Sequence, residues 1–218
     1  MKLIFWNVDT QKDFTNKDGA LYVHGAEEIK PNLVALTKYA RLHRQKIILS
    51  RDSHNNKSRE LIQNGGQFPP HCMAGTKGYK NIPETTPKNP LVIPTTEGTY
   101  MEFIEMEILT YSPTLNKMLQ HKGELVFEKD NNDVFTNYYA GKFVANSGAR
   151  AAVVYGVATD YCVKLAALGL RKSGLEVYLV TDAITSVNEK DGKSALEEML
   201  AAGVKTITTK DVLEGKLL

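Results

Sequence analysis

Two cysteines in 218 residues, Cys72 and Cys162, are too few for a disulfide-stapled scaffold or an all-thiolate metal site. No apolar run approaches the roughly 20 residues that cross a bilayer. The N-terminus has no basic region, apolar stretch or small-residue cleavage site of a secretory leader, so the expected compartment is the cytoplasm, with both thiols free. Charge of one sign is also missing: 27 basic and 25 acidic residues are interspersed for a net +2. Such a surface offers no face to nucleic acid or anionic lipid. No Gly-x-Gly-x-x-Gly follows the first apolar run and there is no Cys-x-x-Cys, which argues against dinucleotide binding and dithiol redox chemistry. Internal repeats and low-complexity tracts are absent too.

What is present is 42% hydrophobic residues, enough to bury a sizeable core, and nothing demands more than one domain over residues 1–218. Lys2 to Val8 is a nearly continuous apolar run, as expected for a parallel strand buried on both faces. Similar runs lie at Lys46–Ser50, Glu124–Glu128, Ala151–Tyr155, Glu176–Val180 and Lys205–Thr208. Between them, helical spacing marks Ala26–Arg44, where Pro31 leaves the start open, and a short helix at Thr114–His121. Further helices carry Phe135 to Phe143, run from Cys162 to Lys172, and cover Asp191–Ala202 with Leu196, Met199 and Leu200 inward. A proline-rich excursion fills about 82–110. Strands alternating with helices predict an α/β fold: an open, mostly parallel sheet of about six strands with helices on both faces.

Four of these strands end on chemistry. Asp9, Asp52 with His54, Lys129, and the turn Gly156-Val157-Ala158-Thr159-Asp160-Tyr161-Cys162 each follow directly on a buried run. In open α/β sheets the carboxyl ends of strands face the ligand crevice, so these side chains are expected to converge. Thr159-Asp160 is a pair of the kind that caps helices, which places Cys162 in a first helical turn where the dipole favours a thiolate. A cysteine, a carboxylate and an ammonium together suit acyl transfer through a thioester. Asp9 takes the thiol proton if burial raises its pKa, Lys129 holds the pair's charge, and the backbone N–H groups of Ala158 and Cys162 are candidate oxyanion donors. Asp52-x-His54 with His71 suits one divalent ion, zinc, iron or manganese, with Glu60 as the candidate fourth ligand. Each residue alone has a bland alternative: a packed cysteine, a satisfied carboxylate, a solvated lysine or glutamate.

The pieces Val8-Asp9-Thr10-Gln11-Lys12-Asp13-Phe14, Asp52-Ser53-His54, Phe68-Pro69-Pro70-His71-Cys72-Met73-Ala74-Gly75-Thr76, Lys129 and Gly156 to Val163 resemble the isochorismatase-like cysteine hydrolases, and within them the nicotinamidases. The resemblance implies a catalytic triad of Asp9, Lys129 and Cys162, and a cis peptide between Val157 and Ala158 that shapes the oxyanion hole. It further implies metal ligands at Asp52, His54 and His71, with the metal holding the ring nitrogen of nicotinamide and Phe14 and Phe68 beside the ring. The implied reaction releases ammonia and leaves nicotinic acid, a step of NAD salvage. Phe68 stands where tryptophan is usual, a third metal histidine is missing from its expected place, and the 82–110 excursion is longer than expected. A family amidase for another small amide, and a non-catalytic nucleotide-binding or thiol redox module, are the competing readings. The expected partner is a small amide, with neither nucleic acid nor membrane, and homo-oligomerisation is left open.

Overall fold

The computed structural model describes residues 2–95 and 112–217. Its elements run β1 Leu3–Val8, α1 Lys12–Thr15, α2 Ala26–Leu42, β2 Lys46–Asp52, β3 Leu91–Ile93, α3 Pro113–Gln120, β4 Leu125–Lys129 and α4 Tyr138–Asn146. They continue with β5 Ala151–Val157, α5 Lys164–Lys172, β6 Glu176–Thr185, α6 Glu189–Ala201, β7 Lys205–Ile207 and α7 Thr209–Leu213. The strands form one sheet in the order β3-β4-β2-β1-β5-β6-β7, every pairing parallel.

Period-2 alternation sends successive β1 side chains to opposite faces. Leu3 and Phe5 join Leu33, Leu36 and Val212 on the face covered by α2 and α7. Ile4, Trp6 and Val8 join Met118, Phe143, Ala166 and Met199 beneath α3 to α6. Trp6 stacks on Phe127 with ring centroids 6.1 Å apart and planes 8° from parallel. Both rings are fully buried, so truncating either would cost about 3–5 kcal/mol.

The seventh strand exceeds the six predicted, and the extra one is β3. Its three residues are too few to show a period, and Pro90 and Pro94 flank them; proline is tolerated there because β3 lies at the sheet edge. This strand and a short turn at Pro83–Thr85 account for the described part of the excursion, and its residues 96–110 lie outside the described residues. Helix α2 begins at Ala26 after Gly25 and takes Pro31 into its interior, while His43 ends up as its exposed C-cap. Leu200 is 45% exposed rather than inward, because α6 buries the stripe Gly192, Ala195 and Met199.

Register sets up the crevice. Val8 pairs with Ser50 on one side and Gly156 on the other, and Asp52 pairs with Lys129. The chain leaves β1 toward β2 on one side and returns through β5 on the other, so β1 and β5 flank the switch point where such sheets open a binding cleft. Gly156 has φ +126°, and a Cβ there would run into the Val8 carbonyl.

Candidate active site

Asp9 follows β1 in a left-handed conformation (φ +48°), and its carbonyl accepts the Gln11 N–H at 2.7 Å. This turn points the carboxylate into the crevice. Ser50 Oγ donates to Asp9 Oδ1 at 2.7 Å, while Oδ2 stands 3.0 Å from Lys129 Nζ without an aligned hydrogen bond. Lys129 Nζ also donates to the Asn131 carbonyl at 3.0 Å, to Asp52 Oδ1, and to Cys162 Sγ at 3.5 Å. The Cys162 thiol donates weakly to Asn132 Oδ1 at 3.8 Å. Asp9 and Lys129 are fully enclosed and Cys162 is 6% exposed. The four strand ends expected to converge therefore do so, with Asp9, Asp52 and Cys162 all in contact with Lys129.

Burial is the largest influence on each. It pushes the Asp9 carboxyl above its ordinary range, opposed by Lys129 and reinforced by Asp52. It pushes the Cys162 thiol well up, with the Lys129 ammonium opposing and the Asp9 and Asp52 carboxylates adding to the rise. Burial would pull Lys129 down, but Asp52, Asp9 and Cys162 outweigh it and hold the ammonium charged. Burial thus works against the thiolate expected from a helix start. Cys162 lies in a wide turn, Thr159–Val163, ahead of α5, and Tyr161 breaks its helical geometry with φ −122° and ψ −105°. Thr159 and Asp160 cap nothing there. The Asp160 carboxylate instead accepts the N–H groups of Val187 at 3.0 Å and Asn188 at 2.9 Å, tying down the loop before α6. The Val157–Ala158 peptide bond is cis.

Beside this group, Asp52, His54, Glu60 and His71 bring one ligand atom each to within 4.8 Å of one another. His54 Nε2 is 3.7 Å from both Asp52 Oδ2 and Glu60 Oε2, and His71 Nε2 is 3.8 Å from Asp52 Oδ2. These separations are too long for hydrogen bonds and suit atoms around a common centre. His54 Nε2 and Glu60 Oε2 are buried with no hydrogen-bond partner, an arrangement that is costly unless a cation takes both. The other ring nitrogens are occupied: His54 Nδ1 faces Asp130 Oδ1 at 3.0 Å and His71 Nδ1 faces the Pro69 carbonyl at 2.8 Å. The residues fit a divalent ion.

Asp52 joins the two halves, with Oδ1 on Lys129 and Oδ2 toward the histidines. Burial alone would raise its pKa, but Lys129, His54 and His71 hold it below the ordinary carboxylate range. Its backbone is clamped by the Gln11 side chain, which accepts the Asp52 N–H at 2.7 Å and donates to its carbonyl at 2.9 Å. A narrow cavity, open at its mouth, runs from Asp52 and His71 to Ala158 and Cys162. Phe14 and Phe68 line it, 5.5 and 5.8 Å from the His71 ring. Tyr161, edge-on to Phe68 at 5.7 Å, and Asn132 line it as well.

Sequence reasoning passed over Ser50, Gln11, Asp130, Asn132 and Tyr161. Adjacency was the available signal for three of them, since Tyr161 precedes Cys162 and Asp130 and Asn132 follow Lys129 closely. Ser50 becomes visible only once β1 and β2 are set in register.

Fold and crevice together place a cysteine, a carboxylate and an ammonium at the carboxyl edge of an open parallel sheet. The chain belongs to the isochorismatase family: residues 3–103 and 110–211 match the family model described as the isochorismatase domain. A nicotinamidase of Acinetobacter baylyi is 25% identical over 223 residues, covering 94% of this chain and 92% of that protein. The Escherichia coli nicotinamidase is 41% identical over 61 residues, 27% of this chain and 29% of that protein. Among solved structures, a pyrazinamidase of Pyrococcus horikoshii in complex with zinc superposes with a TM-score of 0.75 at 24% identity, covering 95% of this chain and 99% of that one. An L. infantum protein in complex with nicotinate gives 0.74 at 21%, with 96% and 93% covered. Likeness at these identities speaks for the fold, and the family kinship supports an amidohydrolase. No helix among the described residues is long and apolar enough to cross a membrane.

Proposed function

We propose that this chain hydrolyses nicotinamide to nicotinic acid and ammonia through a thioester on Cys162, within one domain. The observation that carries the reading is the pair of orphaned ligand atoms, His54 Nε2 and Glu60 Oε2, grouped with Asp52 and His71, which line one end of an aromatic-walled cavity whose other end holds Cys162. Asp52, His54, Glu60 and His71 would hold one divalent ion, zinc, iron or manganese. When bound, it supplies a Lewis acid for the pyridine nitrogen, which fixes where the carboxamide falls. Phe14, Phe68 and Tyr161 enclose the ring and exclude water. The Acinetobacter baylyi relative, named a nicotinamidase, and the zinc-containing pyrazinamidase point the same way.

In the chemistry that follows, Asp9 accepts the Cys162 proton as the sulfur forms a bond to the carboxamide carbon and the carbonyl electron pair moves onto oxygen. Backbone N–H groups of Ala158 and Cys162 are the donors assigned to that oxyanion. Lys129 stays protonated and balances charge among Asp9, Asp52 and the sulfur. As the carbonyl re-forms, the C–N bond breaks and the Asp9 proton leaves with ammonia. Water then adds to the thioester, giving its proton to Asp9. The C–S bond breaks, and that proton returns to sulfur as nicotinic acid departs.

The test is ammonia release from a panel of small amides, with Cys162→Ala and metal content measured alongside. Nicotinamide turnover lost in the variant is the expected result. Equal turnover by Cys162→Ala would sink the nucleophile, and a panel in which nicotinamide is inert while another amide reacts would keep the mechanism and replace the substrate.

A further inference from the structure

The two histidines of the donor set are braced differently. His71 Nδ1 meets a neutral backbone carbonyl, that of Pro69, at 2.8 Å, whereas His54 Nδ1 meets a carboxylate oxygen of Asp130 at 3.0 Å. The main chain already fixes where the His54 backbone lies, since its N–H donates to the Cys72 carbonyl at 3.2 Å and its carbonyl accepts the Ala74 N–H at 2.8 Å. The ring packs on His71 with centroids 4.6 Å apart, and its Nδ1 has Asp130 as hydrogen-bond partner. With the proton on Nδ1 directed at Asp130, the Nε2 lone pair is left to face Asp52 Oδ2 and Glu60 Oε2, where it has no hydrogen-bond partner despite complete burial of the side chain.

Building on the metal-dependent reading above, we propose that Asp130 is a positioning residue: it locks His54 as the Nδ1–H tautomer and makes Nε2 a stronger ligand. A carboxylate acceptor increases the electron density of the imidazole more than a carbonyl does, so the His54 arm is the electron-rich side of the site. Asp130 directly follows Lys129, whose ammonium contacts Asp9, Asp52 and Cys162. One short loop therefore supports both the donor set and the thiol end of the cavity.

The experiment measures zinc affinity of the metal-stripped protein by competition with a chelating dye, repeated with ferrous and manganous ions. Asp130→Ala is expected to weaken binding about 10- to 100-fold, and Asp130→Asn, which keeps an oxygen acceptor without the charge, to fall between it and wild type. In a His54→Ala background, Asp130→Ala should add nothing, and the melting temperature of the metal-free Asp130→Ala protein should stay within a few degrees of wild type. Affinity of Asp130→Ala within threefold of wild type overturns the inference alone, as does an equal loss with His54 already removed. Wild-type protein that binds none of the three ions overturns the metal-dependent reading and the inference with it.

Discussion

Replacing Asp9 with asparagine tests the proposed chemistry at its most exposed point. The Cys162 thiol is buried and its pKa lies well above the 9.0 of an ordinary cysteine. An enzyme deprived of its base must attack with no carboxylate to take the thiol proton, so its loss is the worth of that base. General-base catalysis is worth about 10²- to 10⁴-fold, and the buried, raised-pKa Asp9 favours the upper part of that range, about 4–5 kcal/mol of barrier. Asparagine fills the same space and can still accept from Ser50 Oγ, and Lys129 keeps Asp52 as counter-ion, so the fold should survive. The assay is steady-state ammonia release at saturating nicotinamide, with nicotinamide affinity and circular dichroism as controls. The pH profile carries a second signature. Asp9 must be ionised to accept a proton, so wild-type activity should fall with falling pH at a value above the 3.8 of an ordinary aspartate. In Asp9→Asn that acid limb should move to higher pH, with the residual rate rising tenfold per pH unit as thiolate accumulates. A folded variant with kcat within tenfold of wild type, or with the acid limb unmoved, would refute the assignment of Asp9 as base.

Removing the divalent ion with a chelator should raise KM for nicotinamide by well over tenfold, and should shrink the preference for nicotinamide over benzamide, which lacks the ring nitrogen. An undiminished preference in metal-free enzyme would separate the donor set from substrate choice. Phe68→Ala and Tyr161→Ala should each raise KM about three- to tenfold with smaller changes in kcat, since each removes one aromatic wall worth about 1 kcal/mol; unchanged KM in both would move the ring elsewhere. Gly156→Ala should destabilise the fold by more than about 3 kcal/mol, read as a large loss in chemical-denaturation midpoint, because its left-handed backbone and the Val8 carbonyl leave no room for a methyl group.

The parts of this molecule that were legible in sequence are those that local pattern dictates. β1 is buried at every residue, as its nearly continuous apolar run of six suits a parallel strand covered on both faces. Once such strands are recognised, Asp9, Asp52 and Lys129 fall at their ends without further information, and the motif carrying Cys162 follows β5. β3 was hidden because three residues between prolines show no period, and only pairing with β4 makes them a strand. The burial that opposes a Cys162 thiolate is hidden from sequence for a different reason. A helix-start argument weighs one local dipole, whereas burial among Asp9, Asp52 and Lys129 is summed from four parts of the chain. Ser50 on Asp9 and Asp130 on His54 are products of register, which no single stretch of sequence displays.

The shared carboxylate of Asp52 ties the history of the two ends of the crevice together. With one oxygen on Lys129 and the other turned to His54 and His71, it cannot drift toward a different ligand set without disturbing the ammonium beside the thiol. Without Asp52, Lys129 would be left with the single carboxylate of Asp9. Glu60 faces the histidine side, so its exchange would leave the contacts of the ammonium intact.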